Sequence, residues 1–542
     1  MKIKILLTVM SLLAITSCYE DKGNYDYREM NDIEISVETE SSFYALGDKV
    51  ISKPELVFTL GKENSDLSYE WTFDGHVIGD TKDLEWIADT IASTKELRLA
   101  VLDNNTGVTY FGSTYISVSS AYASNGWVVL SEKEGNSTLS FLREQTEEGI
   151  LKPVVTRDIY SMINGVPMGT QPVSMYPHWT ERWDGEDKTS WLWVAQKGGQ
   201  GAIDISGSSY KQEGILSQMF LSKSYPEGFV SVGVIDMQFL TMAIGEDGTI
   251  YTRVKDSNLL FNSSNFLDRP LTSDKEGKIK VDGSMIAYAP FDEHGGMVLY
   301  DKNSAQYLHI ADYKNWQGYN YSGKVLPLKV EEYEYGPSDA RLDNMKDYSV
   351  YFVGASLVDW GDISYMSIIK DKAEFYMQKF KVEAYGGGSS VTKVGASFIS
   401  QSEIKGLDAV IDGTSKNCFY LCRNQDKAPY LFISKGETLY FYYTDGNKLY
   451  TCAQFDSPIA SIDAECFNNK YIIVGLESGD VFILKGEDDN SDYTLKKYVI
   501  QQNKVIQVTD AENKFVLFHE KDFGKIIQVR YKWKESWNES FS

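Results

Sequence analysis

Two apolar runs enclose a short turn in the stretch YIIVGLESGDVFIL, residues 471–484. Isoleucine, valine and an aromatic residue fill these runs, and such residues favour strands. Ser478, Gly479 and Asp480 lie between the runs. Glycine and aspartate tolerate the positive φ angles of tight hairpin turns. The stretch therefore predicts two antiparallel strands joined by a turn.

The same unit recurs through most of the chain that follows residue 125. Each copy has an apolar strand, a turn that carries glycine or an acid, and a second strand with an aromatic residue. The other copies are 126–130 with 137–141, 242–244 with 248–251, 296–300 with 307–310, and 430–433 with 439–442 and 448–450. The groups are spaced irregularly at roughly 40–60 residues, with hardly any helical periodicity between them.

Many short strands at this spacing predict a β-propeller over residues 126–542, because radial closure protects the strand edges. At roughly 60 residues per blade, we expect about seven blades, with eight as the next count. A string of further β-sandwiches is the alternative. The propeller is favoured because no clear linker interrupts the segment, and the Gly-rich stretch at 386–390 fits a hairpin loop as well as a linker.

Residues 33–119 alternate apolar and polar positions between Gly and Asp turns, which is the pattern of a β-sandwich. Trp71 shares one strand face with Tyr69 and Phe73, so we expect it to fill the core between two sheets. Residues 97–101 and 114–118 predict the closing hairpin of this domain. The small polar residues 119–125 mark its boundary.

The composition is consistent with an all-β protein of more than one domain. The chain has 542 residues, which corresponds to roughly two to four domains. Aromatic residues make up 13% of it, which favours strands. Its net charge of −24 argues against binding to nucleic acid, which requires a basic face. The same charge argues against direct adhesion to anionic lipid.

The N-terminus has the features of a bacterial lipoprotein signal. Lys2 and Lys4 precede an apolar run at residues 5–15, which is too short for a stable transmembrane helix. The run ends in Ile15-Thr-Ser-Cys18, which resembles a lipobox. Residues 1–17 are therefore predicted to be a signal peptide and Cys18 the lipidated residue. An ordinary cleavage site beside a chance cysteine is the alternative.

Lipidation at Cys18 predicts a membrane contact through acyl chains alone. Residues 18–32 are then a tether between the anchor and the first domain. The net charge of −24 becomes −26 in the mature chain, because residues 1–17 carry two lysines and no acid.

The residues after Cys18 resemble a known family. Acids directly behind the cysteine, in Tyr19-Glu-Asp-Lys22, are similar to the export signal of Bacteroidetes-type surface lipoproteins. The string Asp21-Lys-Gly-Asn-Tyr-Asp-Tyr27 resembles the start of PKD-like family lipoproteins. The segment SYEWTFDG at 68–75 resembles the Tyr-x-Trp-x-Phe core of PKD domains. The resemblance covers the first 120 residues well and the remainder loosely.

This resemblance implies where the protein works and with what. It implies a lipid-anchored protein of the outer membrane that faces the cell exterior. Its implied partners are a SusC-like TonB-dependent transporter and a SusD-like lipoprotein, which together import a nutrient.

The sequence holds no motif for catalysis, a cofactor or a metal. Its five histidines form no His-x-x-x-His or His-Glu-x-x-His pair, and the nucleophile elbow, Walker A and dinucleotide-binding motifs are absent. The acids at 292–293 and 487–492 fit solvated turns. We therefore expect that the protein binds no cofactor and is not an enzyme. A pair of glycosidase carboxylates has no sequence motif by which it could be recognised.

The cysteines of the second domain leave two interpretations open. Cys418 and Cys422 lie about 13 Å apart on one predicted strand, which is too far for one metal or a direct disulfide. Buried thiols, or cross-strand disulfides that include Cys452 and Cys466, are both compatible with the sequence.

Two aromatic segments are the candidate binding loops. The first, residues 177–194, holds the candidates His178, Trp179 and Trp183. The second, residues 312–321, interleaves aromatic residues with amide side chains. Its candidates are Trp316, Tyr319 and Tyr321. Exposed aromatic faces beside amides suit a sugar, a peptide or a partner loop. Core packing is the alternative, and it is favoured for Trp191 and Trp193 because they have strand spacing.

Three functions follow as hypotheses. The first is a non-catalytic surface lipoprotein that captures a glycan or peptide for a SusC/SusD-like importer. The alternative is a surface glycan-active hydrolase or lyase, which requires two carboxylates about 5–9 Å apart at the propeller mouth. A purely scaffolding subunit is the third, and it predicts a large apolar patch that faces the partner.

Overall fold

The computed structural model describes most of the chain after residue 29. The described residues are 30–64, 66–147, 149–180, 189–255, 265–273, 277–288, 296–313, 321–359, 362–386, 393–422, 430–444, 446–465, 470–486, 494–495, 497–510 and 513–533. The chain divides into two compact units, Met1–Ser119 and Ser120–Ser542.

The first unit is a β-sandwich. Its strands are β1 (Ile33–Ser36), β2 (Phe43–Ala45), β3 (Lys49–Ser52), β4 (Glu55–Phe58), β5 (Leu67–Phe73), β6 (His76–Gly79), β7 (Leu84–Ile87), β8 (Ala92–Asp103) and β9 (Val108–Ser119). A five-stranded sheet has the order β2-β9-β8-β5-β6, and β1 with β4 and β3 with β7 form two further pairs.

The core of this unit confirms the prediction for Trp71. Its ring is fully buried among apolar residues that include Phe73, Leu97 and Val118. The indole N–H donates a hydrogen bond to the carbonyl oxygen of Thr81 at 3.0 Å. The predicted closing hairpin is also confirmed, because β8 and β9 are antiparallel neighbours.

The second unit is built from short antiparallel strands. The first half comprises β10 (Gly126–Lys133), β11 (Asn136–Arg143), β12 (Thr146–Glu147), β13 (Ile150–Leu151), β14 (Val154–Thr156), β15 (Pro172–Thr180), β16 (Thr189–Gln196), β17 (Ile203–Ser206), β18 (Gln212–Ile215), β19 (Ser231–Asp236), β20 (Leu240–Gly245), β21 (Ile250–Val254), β22 (Thr272–Ser273), β23 (Gly277–Lys278), β24 (Ile286–Tyr288), β25 (Gly296–Asp301), β26 (Gln306–Ala311) and β27 (Val325–Lys329).

The second half continues the same pattern. It comprises β28 (Ser349–Asp359), β29 (Asp362–Lys370), β30 (Phe375–Gly386), β31 (Lys393–Glu403), β32 (Phe419–Leu421), β33 (Tyr430–Lys435), β34 (Thr438–Tyr443), β35 (Lys448–Gln454), β36 (Ile459–Ala464), β37 (Tyr471–Leu476), β38 (Val481–Lys485), β39 (Ile506–Gln507), β40 (Val516–Glu520) and β41 (Lys525–Lys532).

Helices are few and short in the described residues. One α-helix, α1, spans Ile159–Asn164. The remaining helical turns are 3-10 turns at Leu216–Met219, Gly283–Met285, Glu332–Glu334 and Leu407–Ala409, and a π turn at Lys497–Gln501.

The strands of the second unit form seven blades in the described residues. Blade 1 has the order β14-β11-β10-β41, and blade 2 consists of β15–β18. Blade 3 consists of β19–β21 and blade 4 of β24–β27. Blade 5 consists of β28–β31, blade 6 of β32–β35 with β39, and blade 7 of β36–β38 with β40. A parallel contact between β27 and β31 joins blades 4 and 5.

Seven hydrophobic cores show that the blades form a closed ring. Each core contains residues of two consecutive blades, and one core is shared by blade 7 and blade 1. Representative pairs, starting from blades 1 and 2, are Val128 with Leu192, Trp193 with Val234, Leu240 with Met297, Tyr307 with Phe380, Met366 with Leu431, Phe432 with Ile472, and Ile473 with Trp127. The predicted fold class, an all-β chain with a sandwich and a propeller, is confirmed.

The stretch at 471–484 forms the hairpin that its sequence predicts. β37 pairs with β38 in antiparallel register, and Gly479 has a φ of 94° at the turn. A Cβ atom at Gly479 would lie 2.6 Å from the carbonyl oxygen of Gly524. The turn thus requires glycine both for its backbone angle and for its contact with the next chain segment.

The ring closes through the C-terminal strand. β41 pairs antiparallel with β10, so residues from both ends of the second unit complete blade 1. Lys532, the last residue of β41, is fully buried. Its ammonium donates hydrogen bonds to the carbonyl oxygens of Tyr122, Ser124 and Gly207 at 2.9–3.0 Å.

Candidate functional site

The ring encloses a central channel. Its cavity of about 540 Å³ is lined by residues of the innermost strand of every blade: β41, β15, β19, β24, β28, β32 and β36. The volume falls in the range of about 300–1,000 Å³ that is usual for ligand sites. The walls are mainly apolar and aromatic, as in Tyr176, Phe352 and Tyr420.

A buried polar cluster lies where the inner strands of blades 2, 3 and 4 end. We call it the rim cluster. Its members are the buried residues His178, Asp204, Asp236, Arg253, Lys255 and Asp312 and the half-buried Tyr288. His178 is close to the end of β15, Asp236 ends β19 and Tyr288 ends β24. Because these strands run in the same direction, their last residues reach the same edge of the ring.

His178 is held on two sides. Its Nε2 atom is 2.9 Å from Oδ1 of Asp204, and both residues are buried. Its ring lies 6.1 Å from the ring of Trp193 in a stacked geometry and 6.4 Å from that of Trp191. Its Nδ1 atom is buried and has no hydrogen-bond partner among the described residues. The imidazole is therefore fixed in orientation by Asp204 and the two indole rings.

Asp236 compensates two buried cations. Its carboxylate contacts the ammonium of Lys255 and lies 3.6 Å from the guanidinium of Arg253. Thr241 donates a hydrogen bond to it at 3.1 Å. Burial alone would raise the pKa of Asp236, but the positive charges around it hold the pKa at about 2. The group is thus a carboxylate at any physiological pH.

Asp312 links blade 4 to blade 3. Its two carboxyl oxygens accept hydrogen bonds from the backbone N–H groups of Gln238 and Phe239 at 2.8 and 2.7 Å. Burial raises the pKa of Asp312 to about 7, and the nearby charge of Asp236 acts in the same direction. Burial also raises the pKa of the Tyr288 hydroxyl, with a contribution from Asp312. The rim cluster therefore contains one carboxyl group that titrates near neutral pH.

The predicted site residues have different outcomes. His178 belongs to the rim cluster. The backbone of Trp179 pairs with Ser190 in the β15–β16 ladder. Tyr321 is buried in the core between blades 4 and 5, with its ring stacked 6.1 Å from that of Tyr313. The remaining predicted residues lie outside the described part of the chain, and they are Cys18, Trp183, Trp316 and Tyr319.

The stretches of sequence that hold Trp183, Trp316 and Tyr319 nevertheless lie next to members of the rim cluster along the chain. His178 lies three positions before residues 181–188, and Asp312 lies two positions before residues 314–320. Trp183 belongs to the first of these segments, and Trp316 and Tyr319 belong to the second. The rim cluster thus fixes one described flank of each candidate binding loop. By contrast, Trp191 and Trp193 are buried, which confirms the core interpretation for both.

Sequence reasoning did not identify most of the rim cluster. Asp204, Asp236, Arg253, Lys255 and Asp312 all lie within or next to apolar strands. A charged residue directly after an apolar run, as in Ile235-Asp236 and Ala311-Asp312, is the one local signal that was available. That signal does not say which charges meet.

Three cysteines, Cys418, Cys422 and Cys452, lie within the described residues. Cys418 and Cys452 are free thiols, and Cys422 is fully buried in the same core as Cys452. Cys466 lies outside the described residues.

No group of three or more metal-ligating side chains occurs in the described segments. Among those segments, no helix has the length and hydropathy of a membrane span.

One protein family matches the N-terminal part of the chain. The model of the PKD-like family matches residues 18–172. This range includes the sandwich and the first strands of the propeller. No curated protein sequence is detectably similar to the chain.

Several solved propeller structures are similar in fold. Apo AztD from Citrobacter koseri has a TM-score of 0.30 and 8% identity, with 86% of this chain and 98% of that chain covered. The WD40 domain of coronin from Toxoplasma gondii has a TM-score of 0.32 and 10% identity, with 68% and 78% covered. Similarities at this level do not identify a function.

Proposed function

We propose that the chain is a non-catalytic, surface-exposed lipoprotein of the outer membrane that captures a glycan or peptide at the propeller. It is anchored through lipid on Cys18 and works beside a SusC-like transporter and a SusD-like lipoprotein. The match of residues 18–172 to the PKD-like family model supports the resemblance to PKD-like lipoproteins. The location and the partners in this proposal are inferred from that resemblance. The sequence around Cys18 supports the anchor.

The rim cluster is the observation that carries the binding function. Its buried ion pairs and hydrogen bonds hold one described flank of each aromatic segment in a fixed position. Binding residues on a rigid support lose less conformational freedom when the ligand arrives. Trp316 and Tyr319, beside Asn315 and Gln317, supply the stacking faces and hydrogen-bonding groups that a sugar or peptide requires.

A binding experiment tests this function. The mature chain with Cys18→Ser is titrated with a panel of oligosaccharides and peptides, and the double variant Trp316→Ala/Tyr319→Ala is compared with it. We expect the double variant to lose about tenfold or more in affinity, since each aromatic anchor contributes on the order of 1–2 kcal/mol. Tyr333→Ala is the matched control, because Tyr333 is 85% exposed and lies in another segment. Equal binding by all three proteins would contradict the proposal.

A surface hydrolase is the second candidate, and two of the three carboxyl groups of the rim cluster favour it. One has a pKa of about 2 and the other of about 7, at Asp236 and Asp312. Carboxyl groups whose pKa values are pushed apart serve as the base and acid of glycosidases. However, both residues are at most 8% exposed, both are engaged by protein groups, and neither lines the cavity.

A turnover assay separates the two functions. The mature chain is incubated with polysaccharides, and the release of new reducing ends is measured for the wild type and for Asp312→Asn. We expect no release from either protein. Release by the wild type that Asp312→Asn abolishes would establish the hydrolase and contradict a non-catalytic role.

A further inference from the structure

The channel wall has a different charge balance from the rest of the chain. The whole chain carries a net charge of −24. Among the described residues that line the central cavity, the charged side chains are Lys416, Asp463 and Arg530. Two cations thus face one carboxylate in a protein where acids outnumber bases. An acidic protein with a cationic channel attracts anions there and repels them elsewhere.

The carboxylate of Asp463 is already engaged. Its Oδ2 atom accepts a hydrogen bond from the backbone N–H of Tyr531 at 2.7 Å. Two residues earlier on each strand, the Ser461 hydroxyl accepts a hydrogen bond from the backbone N–H of Val529 at 3.2 Å. These two side chains therefore hold β41 against β36, which is a structural role at the seam of the ring.

Arg530 has most of its donors available. In the described part of the chain, its guanidinium donates one hydrogen bond, at 3.2 Å, to the carbonyl oxygen of the adjacent Val529. It makes no ion pair with a described residue. A guanidinium has five N–H donors in a planar fork that matches a carboxylate. Arg530 therefore presents unused donors to a cavity of about 540 Å³.

A second cation acts on the same part of the channel. Burial raises the pKa of the Cys418 thiol, and the positive charges of Lys416 and Arg530 act in the opposite direction. Glu477 opposes the two cations, but it does not line the cavity. Cys418 lines the cavity, and its thiol donates to the carbonyl oxygen of Ala460 at 3.0 Å. The reactivity of the Cys418 thiol can therefore be used to detect a ligand in the part of the cavity that Lys416 and Arg530 line.

We propose that the central channel binds a carboxylate-bearing saccharide, with Arg530 as its anion contact and Lys416 as a supporting charge. The choice of a saccharide rests on the proposed function, whereas the choice of an anion rests on the channel itself. The aromatic walls, which include Tyr176, Phe352 and Tyr420, supply apolar faces for the sugar rings. The cavity volume accommodates a short oligomer.

An anionic and a neutral trisaccharide test whether binding in the channel requires an anion. Trigalacturonate and neutral maltotriose are titrated by calorimetry into the mature chain with Cys18→Ser. We expect trigalacturonate to bind, with an affinity that falls as salt is added. Arg530→Gln should lose about tenfold or more of that affinity, and Arg530→Lys should lose part of it, because lysine keeps the charge but not the fork. Lys525→Gln is the control, since Lys525 is exposed near the other end of β41.

Thiol alkylation places the ligand. Cys418 in the wild type is modified with N-ethylmaleimide at alkaline pH, and its rate is followed by mass spectrometry. We expect trigalacturonate to slow this modification in the wild type and not in Arg530→Gln. Cys452 is fully buried and serves as an internal control for unfolding. Arg530→Met is a second variant if Arg530→Gln fails to fold.

The outcomes distinguish this inference from the proposed function. Equal protection of Cys418 by maltotriose would overturn the anion requirement and leave the proposed function intact. Protection by an acidic peptide but not by trigalacturonate would overturn the saccharide class. Binding of a neutral glycan that depends on Trp316 and Tyr319, without any effect of trigalacturonate on Cys418, would overturn the channel site alone.

Discussion

The ammonium of Lys532 donates a hydrogen bond to the carbonyl oxygen of Tyr122 at 2.9 Å, although the two residues are 410 positions apart in the chain. Tyr122 lies just before the first strand of the propeller, and Lys532 ends its last strand. The same ammonium also bonds Gly207 of blade 2 and lies 4.9 Å from the ring centre of Phe141. One buried side chain therefore joins the start, the end and the second blade of the ring.

Replacement of Lys532 should weaken the closure of the propeller. Lys532→Met leaves one buried and two partly buried carbonyl oxygens without this donor, so we expect the free energy of unfolding to fall by roughly 3 kcal/mol. Chemical denaturation followed by tryptophan fluorescence measures the change. Lys525→Met, in an exposed position of the same strand, should change it by less than about 0.5 kcal/mol. An equal effect of both variants would show that Lys532 has no special role in closure.

Removal of the Asp236 carboxylate should be costly because it leaves Lys255 and Arg253 buried without their counter-charge. We expect Asp236→Asn to lower the free energy of unfolding by about 3–5 kcal/mol. The double variant Asp236→Asn/Lys255→Met should recover part of this loss. As a control, Asp282→Asn removes an exposed ion pair with Lys302 and should cost about 1 kcal/mol or less. Denaturation midpoints that do not distinguish Asp236→Asn from Asp282→Asn would contradict the assignment of a buried ion cluster.

Asp312 should make stability depend on pH in a defined direction. Its pKa is about 7 in the folded state and 3.8 for the unperturbed group. Between these values the folded state holds a proton that the unfolded state has released, so the contribution of Asp312 to stability falls as pH rises from about 4 to 7 and is constant above about pH 8.

The variant Asp312→Asn isolates this contribution, because other titrating groups are common to both proteins. We expect the stability difference, wild type minus Asp312→Asn, to decrease between about pH 4 and pH 7. Denaturation curves collected across this range measure it. A difference that is constant with pH would mean that Asp312 does not take up a proton in the folded state near neutral pH.

The sandwich should depend on Trp71. Trp71→Ala removes a fully buried ring and its hydrogen bond to Thr81, so we expect the N-terminal unit to lose about 3–5 kcal/mol. Scanning calorimetry of the mature chain should show this loss in the transition of one unit. Phe43→Ala, where the ring is mostly exposed, should leave that transition within about 0.5 kcal/mol. The prediction fails if the two substitutions lower the transition equally.

Local patterns in the sequence were sufficient for the fold. Trp71 lies at a strand position flanked by alternating residues, and Gly479 lies between two apolar runs. Strand alternation and turn chemistry act over a few residues, so the strands, their turns and the approximate number of blades follow from the sequence. The closing strand is not predicted in this way, because its partners Tyr122 and Ser124 lie more than 400 positions away.

The contacts of the rim cluster could not be predicted from the sequence either, because they too join residues that are far apart in the chain. His178 meets Asp204 across 26 positions, and Asp312 meets the N–H of Phe239 across 73 positions. Both contacts depend on strand register and on how neighbouring blades pack, which no local pattern encodes. The prediction of His178 as a site residue came from its aromatic segment, and its buried hydrogen-bond partner, Asp204, is apparent only from the folded structure.

Isolation of the lipidated protein from native outer membrane tests the central claim most directly. A C-terminally tagged chain is purified in mild detergent, and its partners are identified by mass spectrometry, with Cys18→Ala as the unanchored control. We predict stoichiometric recovery of a TonB-dependent barrel and a SusD-like lipoprotein with the anchored chain and not with the control. Recovery of the anchored chain by itself would contradict a role beside an importer.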